Sequence, residues 1–565
     1  MKTSLPTATG RLRKLVPKII GADIELGNFL TGPDVPPGTG PLAARLLLRE
    51  VAGLPQLNTW DYLLPGAAQW DISAGRFGTG IAVQNYGASS SYDHHDWGRK
   101  YLKENGGCIY VDANHLEACL PEIRDPFDHV ACWRATLDRL QVIQAKANAR
   151  LDSGRRIQVL VNNSDGQSNS YGSHLDFLMN RDAWSNILER RAHYLGFLAS
   201  FYASSILLTG QGKVGSENGR SSVAYQISQR ADFFEMLLGH QTTHNRPMCN
   251  SRDEAHCGGF RDGRLDHEFA RLHDIFHDST LCPGSTLLKV GPQAIILAMI
   301  EAEWINPTLI LEEPVSAAIA WSHDPSLRAR VRTMRDERLT LLEMQFRFCE
   351  NARVFVDEGW CDGIVPQAER IMTYWEDTLA RFERKDFSAL ARRLDWVLKK
   401  SLLELALKER PDLTWESPAL KHLDLLYGSL DAEDGLFLAY ERAGLIEPLV
   451  SSADVDRLRD APRDTRAWTR SRLLRLAQPE QVENVNWDSI TFRLRHNAYS
   501  LASYRTVALN NPLEHTRVQT EPLFNPARSL SEVLDALGAY ESDALGNRRL
   551  YTSSAAASRH TAAYS

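Results

Sequence analysis

The chain has 565 residues, 43% of them hydrophobic and 24% charged, which is enough for a sizeable core and for more than one structural unit. With a formal net charge of −7 it has no overall electrostatic pull toward nucleic acid or an anionic membrane, so an anionic ligand must be held by locally placed arginines. The eight cysteines are scattered without a Cys-x-x-Cys pair, which reads as reduced thiols in a cytoplasmic protein rather than as a disulfide framework.

Residues 1–17 are expected to be flexible. They carry Lys2, Arg11, Arg13 and Lys14, but Pro6, Thr7 and Pro17 interrupt any apolar run, so no signal peptide is expected. No later segment reads as the run of ~18 apolar residues that a membrane span needs. Residues 18–28 read as a strand, and residues 41–52 as an amphipathic helix opening after Gly38-Thr39-Gly40-Pro41. Residues 53–104 are rich in Gly, Ser, Trp and Tyr and read as a long loop, of a length that is usually functional or disordered. Strand patterns return at 106–112, 156–163, 171–179 and 271–277. Helical periodicity covers 127–152, 181–205, 286–304, 326–350, 366–383 and 388–408. Strands gather in the first half and helices in the second, which predicts an α+β architecture. A new unit is expected near residue 425, with a helix at 434–444 and a strand at 486–492. The stretch 552–565 is Ser/Ala-rich and is expected to be disordered.

Four segments carry chemistry. In Gly21-Ala22-Asp23-Ile24-Glu25, strand alternation puts Asp23 and Glu25 on one face, either as a solvated acidic face or as oxygen ligands for magnesium. In Asn105-Gly106-Gly107-Cys108-Ile109-Tyr110-Val111-Asp112, the residues Cys108, Tyr110 and Asp112 share a face, and Glu117 can return beside them after a turn. The alternative is an ordinary surface hairpin. Asn162-Asn163-Ser164-Asp165-Gly166 forms a turn that leads to Ser170-Tyr171-Gly172-Ser173-His174-Leu175-Asp176, with His174 and Asp176 on one face. Ser228-Gln229-Arg230, Arg246 and Ser251-Arg252-Asp253-Glu254-Ala255-His256 supply arginines able to grip phosphate in bidentate fashion, or to serve structural ion pairs.

Taken in this order, the segments resemble the family of Pup ligases and depupylases. The likeness runs over about residues 18 to 515, with Arg271-Leu272-His273 and Leu288-Lys289-Val290-Gly291 fitting as well. It implies a glutamine-synthetase-like fold: a curved antiparallel β-sheet cradle packed with helices over 18–425, a small C-terminal domain over 426–524 and a tail over 525–565. It further implies an enzyme that uses ATP (as ADP plus phosphate) and Mg, with a Pup-like ubiquitin-like protein and its conjugates as partner. By position, Asp112 matches the catalytic aspartate, acting as base or nucleophile. Asp23, Tyr110 and Glu117 match the ligands of one magnesium position, and Glu25, His174 and His256 those of another. Arg230 and Arg252 match phosphate-gripping arginines, and Trp487 matches a tryptophan packed on the nucleotide.

The loop at 53–104 with Thr59-Trp60-Asp61-Tyr62, the Asp112-to-Glu117 spacing, Ala461 to Ala467 and Trp487-Asp488-Ser489-Ile490 resemble the depupylase branch. That branch deamidates the C-terminal Gln of Pup or cleaves its isopeptide bond to lysine. An ATP-dependent ligase using the same Asp112, and a non-catalytic binder of a Pup-like tail, are the rival readings. Departures from the family pattern are Asp23 for Glu, Cys108 for an arginine that contacts nucleotide, Leu120 for a Ser or Thr near the nucleotide, Leu175-Asp176 for Glu-Asn, and Ala255 for Pro. Asp93-His94-His95-Asp96, in the long loop, reads as a solvated turn. The His240/His244 and His273/His277 pairs have helical spacing but lack the His-Glu-x-x-His context of a zinc protease.

Overall fold

The structure, a computed structural model, describes residues 15–56, 99–112, 114–152, 154–242, 244–253, 256–257, 260–261, 264–265, 268–494 and 502–542. Most of the expected N-terminal arm, most of the expected long loop with Asp93-His94-His95-Asp96, Ala255 and the Ser/Ala-rich tail lie outside the described residues.

An eight-stranded antiparallel sheet frames the molecule. Its strands are β1 (Ile20–Thr31), β2 (Leu54–Gln56), β3 (Arg99–Tyr101), β4 (Cys108–Asp112), β5 (His115–Ile123), β6 (Arg156–Leu160), β7 (Ser173–Asn180) and the strand Phe269–Asp274. The order across the sheet is Phe269–Asp274, β7, β1, β5, β4, β3, β2, and β6 pairs with the far half of β1. β1 is the axis, with Asp23 opposite Cys119 on one side and opposite His174 on the other, and Glu25 opposite Glu117.

The period of two decides what each face becomes. Ala22, Ile24 and Leu26 of β1, Leu116, Ala118 and Leu120 of β5, and Leu175 and Phe177 of β7 are buried in the main hydrophobic core. Asp23, Glu25, Glu117, Cys119, His174 and Asp176 therefore fall on the opposite face. The core face is covered by helices, among them Pro126–Asn148, which opens on a proline and on Asp125, whose Oδ1 accepts from Phe127 N at 2.8 Å. The helix Pro283–Glu301 is, contrary to the expectation from the sequence, long and apolar enough to cross a membrane by length and composition. All of it is buried inside the protein, and Lys289 at its middle donates to Ser173 Oγ and to the Asp278 carbonyl.

The helical half follows the sequence expectation with three changes, one being that the helix expected over 388–408 is two, Phe387–Ala391 and Asp395–Glu409. The helix expected over 326–350 starts at Leu341, on a Thr340/Glu343 capping box, because Arg330–Arg332 and Arg338–Thr340 pair as a hairpin. The segment expected as one helix over 181–205 is interrupted around Arg191, and a continuous helix runs only over Ala192–Thr209.

The boundary expected at 425 also moves. Leu430, Phe437, Leu438, Ile446 and Leu458 pack into the main core, and Leu430 N donates to the Val159 carbonyl beside β6. A second core begins with Leu473 and Leu474 of the helix Ala467–Leu476. It continues through an antiparallel sheet of Val482–Val485, Ser489–Leu494, Ser503–Ala508 and Tyr540–Ser542. That last strand extends the small unit into what the sequence reads as tail. The second core also takes in Tyr101, Cys108 and Cys119, so the small unit is seated on the polar face of the main sheet at its β3–β4 end.

One ionic cluster pins the two units together. Glu122, at the end of β5, accepts from Arg466 Nε at 2.7 Å and from both terminal nitrogens of Arg470, all buried. Arg470 also donates to the carbonyls of Gly106 and Trp487. Burial raises the Glu122 pKa, but Arg470 and Arg466 outweigh it and hold the carboxyl at about 2. A carboxylate held below its unfolded value near 4.5 stabilises the fold above that pH, and the contribution is lost as pH falls toward 2. Glu122→Gln leaves two buried guanidinium groups facing a neutral amide and should cost about 3–5 kcal/mol in urea unfolding at neutral pH. The gap between wild type and variant should narrow between about pH 6 and about pH 3; a gap that stays constant would contradict the assignment.

Candidate active site

The polar face of β1, β4, β5 and β7 brings the candidate residues together. Ligand oxygens of Glu25, Asp112 and Glu117 lie within 4.8 Å of one another. Glu117 is 2% exposed, and its Oε1 accepts from the Tyr110 hydroxyl at 2.7 Å and from Cys119 Sγ at 3.5 Å. Tyr110 is directly opposite Glu117 in the β4–β5 pair. Tyr110 thus holds Glu117 in place, and the trio contains Asp112 where the sequence points to Tyr110. Asp112, expected there as catalytic and outside the metal shell, stands among the carboxylates able to hold a cation.

Glu25 has two further anchors. Its Oε1 accepts from Gly172 N at 3.0 Å and its Oε2 meets His115 Nδ1 at 3.1 Å. The Gly172 position is prepared by the Asn162-Asn163 turn, since Asn163 Nδ2 donates to the Tyr171 carbonyl and the Tyr171 hydroxyl donates to Asn162 Oδ1. The His174 ring lies where a Cβ on residue 172 would sit, so any larger residue there would have to displace that ring from Asp23. Asp23 pairs with His174, Oδ2 to Nδ1 at 3.6 Å, and its buried Oδ1 has no hydrogen-bond partner among the described residues. Behind them Asp176 accepts from Arg271 and His273, both at 2.9 Å.

The electrostatics follow from this crowding. Burial, then Asp112, Asp23 and Glu25, push the Glu117 carboxyl well above its ordinary range. Burial also raises Glu25, but the bond from His115, the His174 charge and the Gly172 amide outweigh it and bring the carboxyl to about 2. For His174, burial favours the neutral ring, and Asp23 and Glu25 overcome it, so the pKa is raised. Oxygen donors of mixed protonation around an Asp23 oxygen that lacks a partner fit a hard divalent cation such as magnesium.

The arginines divide. Arg230 is fully buried, and its terminal nitrogens donate to the carbonyls of Tyr171 and Ile275. Burial and the neighbouring Arg246 pull its pKa to about 9, which still leaves it charged at neutral pH. In this conformation it lends the site charge and props the Tyr171–Gly172 turn. Arg252 turns to the His240 carbonyl at 3.0 Å and to Thr242 Oγ1 at 3.5 Å, and among the described residues no contact joins it to the trio. His256 is not part of the trio; it lies with the buried Cys257 in a loop whose residues 254–255 and 258–259 are outside the described set. Trp487 sits between the first two strands of the small unit. It lies edge-on to Tyr101 with ring centres 5.9 Å apart and beneath the Arg470 guanidinium at 4.9 Å, at the seam with the main sheet.

Leu120, placed near the nucleotide by the resemblance, is in the main core opposite Ala22. Parity on β5 gives the site face to Cys119. His115 and Arg99 complete the surroundings and are absent from the ligands expected from the sequence, and Arg246 joins them from the arginines read there as able to grip phosphate. His115 alone had a usable signal, an Asp-x-x-His turn whose two ends pair directly. Arg246 donates to the carbonyls of Ser170 and Thr242.

Residues 19–491 match the Pup-ligase protein family. The chain is 34% identical over 435 residues to a depupylase of Acidothermus cellulolyticus, covering 77% of this chain and 82% of that protein. It is 31% identical over 438 residues to a Pup–protein ligase of Kineococcus radiotolerans, covering 76% and 91%. Two solved structures of the Pup ligase PafA share the fold. The complex with the prokaryotic ubiquitin-like protein Pup has a TM-score of 0.69 at 22% identity over 92% of both chains. The complex with ADP has a TM-score of 0.64 at 24% identity over 83% of this chain and 94% of that one. The fold is therefore glutamine-synthetase-like, an antiparallel sheet with helices and a small C-terminal unit.

Burial and the anionic neighbours that raise the Glu117 pKa both favour its proton, and a cation bound among these carboxylates competes with that proton. Titration of Mg²⁺ by calorimetry should show release of about one proton, read from the dependence of the heat on buffer ionisation, with affinity rising as pH rises. Glu117→Gln should abolish the buffer dependence and weaken binding. Heats independent of buffer in the wild type would contradict the assignment.

Proposed function

We propose that this chain, which belongs to the Pup-ligase protein family, is an ATP- and magnesium-dependent amidohydrolase of the depupylase kind. It deamidates the C-terminal Gln of a Pup-like protein, or cleaves that protein's isopeptide bond to a lysine. The observation that carries the reading is the convergence of Glu25, Asp112 and Glu117 on one sheet face beside the Trp487-bearing unit.

Glu25 and Glu117, with Asp23 and His174 beside them, are the residues proposed to hold magnesium, and Arg230 and Arg252 remain candidates for phosphate. Bound Mg-ATP supplies charge neutralisation and a phosphoryl group. The chain's own residues do the rest. Tyr110 fixes the Glu117 carboxyl, and His115 and the Gly172 amide fix Glu25. Asp112, at the end of β4 and half-buried, reaches both cluster and solvent. Its carboxylate either takes the proton of the attacking water or attacks the amide carbon itself. In both cases the C–N bond breaks, nitrogen leaves as ammonia or as the lysine amine, and water supplies the new carboxyl oxygen. The eight free, buried cysteines fit a cytoplasmic setting, where no disulfide is demanded of them.

The ligase reading keeps support from the Kineococcus relative, which is nearly as similar as the depupylase. Product analysis separates the two. With Mg-ATP and a Pup-like peptide ending in Gln, mass spectrometry should show conversion of that Gln to Glu. At saturating Mg²⁺, Asp112→Asn should lower the rate about 10²–10⁴-fold. An equally active Asp112→Asn would remove Asp112 from the chemistry. A peptide–lysine adduct formed from a Glu-ending peptide, without deamidation, would make the chain a ligase.

A further inference from the structure

Arg99 opens β3, the strand next to the catalytic β4. Tyr101 pairs with Cys108 and Lys100 with Ile109, so Arg99 runs beside Tyr110 on the polar face. Its guanidinium carbon stands 4.0 Å from the centre of the Tyr110 ring. Lys100, of opposite parity, is turned away and donates to the carbonyls of Leu48 and Val51.

The surroundings of Arg99 are unusual for a half-buried charge. Its main electrostatic neighbours are Tyr110, Cys108, Tyr101 and Cys119, of which burial pushes the two phenols and the Cys119 thiol up, and among the described residues no carboxylate forms an ion pair with it. Stacking on a phenol orients a guanidinium but leaves its N–H donors unspent. Two residues on, the Tyr101 hydroxyl is completely buried and has no hydrogen-bond partner among the described residues. That ring touches Trp487, so hydroxyl and guanidinium flank the seam between sheet and small unit. Unspent donors in such a place are costly unless an acceptor arrives with a ligand.

We infer that Arg99, with the Tyr101 hydroxyl beside it, is a phosphate-binding arm of the nucleotide site, the ligand's phosphate oxygens supplying acceptors that the described residues do not. A planar guanidinium already oriented on Tyr110 suits phosphate oxygens, and its position ties the phosphate to the residue that fixes Glu117. Arg99 also restores, from the neighbouring strand, a positive charge next to Cys108, a position at which this chain carries only a thiol.

The inference rests on the nucleotide reading above, and the test separates the two. ADP with Mg²⁺ is titrated into wild-type protein, Arg99→Met and Arg99→Lys, and the thermal midpoint of each ligand-free protein is measured. Arg99→Met should weaken ADP about tenfold to a hundredfold, the size of a charge-assisted hydrogen bond, with the ligand-free midpoint unchanged or raised. Arg99→Lys, which keeps the charge without the fork, should lose less, and it carries the test if the methionine variant misfolds. Affinities within about twofold of wild type in the folded variants would overturn the role of Arg99 and leave the nucleotide reading standing. A wild type that binds no ADP would overturn both.

Discussion

Carboxylates held side by side in a partly desolvated site repel one another, and the centre of this protein is built around that repulsion. β1 lies between β5 and β7, so strand pairing alone sets Glu25 beside Glu117 and Asp23 beside His174. The protein meets the repulsion unevenly. Glu25 receives a histidine and a backbone amide and ionises readily. Glu117 receives a phenol and three acidic neighbours and keeps its proton. A divalent cation resolves what remains, since it can replace the proton on Glu117 and occupy the partnerless Asp23 oxygen. Asp112, drawn into the same group, is then close enough to feel any change in the cation's charge.

The small unit completes the arrangement by covering the polar face where it is least acidic. Its core shares Tyr101, Cys108 and Cys119 with the main sheet, and its helix places Arg466 and Arg470 on Glu122. The same Arg470 holds the Trp487 carbonyl and lies over the Trp487 ring. The ion cluster that docks the unit therefore also sets the aromatic wall of the seam, joining stability to ligand geometry. Glu122 lies on the same strand as Glu117, so the dock and the carboxylate centre are two positions on one rigid element.

Much of this is legible in the sequence because a strand's period of two is strict. Asp23 and Glu25, and Tyr110 and Asp112, share faces by counting alone, and the ordered motifs carry family and fold. The errors arise where counting needs a partner that the sequence does not print. Leu120 is assigned to the site by likeness, whereas its parity with Leu116 and Ala118 puts it in the core and gives the site to Cys119. Arg99 follows a long stretch without periodicity, so nothing in the sequence phases it against β4. The ties of Arg230 to main-chain carbonyls are tertiary and invisible to a motif. At 425 a break in pattern reads as a domain boundary, yet Leu430 and Phe437 return to the first core, because a boundary depends on where apolar side chains are buried. The hairpin over Arg330–Thr340 is hidden by a helical periodicity that begins in earnest only at the Thr340 cap.

The central claim is that Glu25 and Glu117, with Asp112 beside them, form a cation site serving a nucleotide. The most direct measurement is a crystal structure of the protein grown with ADP and Mn²⁺ in place of Mg²⁺, with anomalous data collected for manganese. The account predicts a peak between the three carboxylates, at ordinary metal–oxygen distances of about 2.0–2.3 Å from Glu25 and Glu117, with ADP phosphate against it. A crystal that contains ordered ADP but whose manganese lies elsewhere, or one in which neither is found at saturating concentrations, would contradict it.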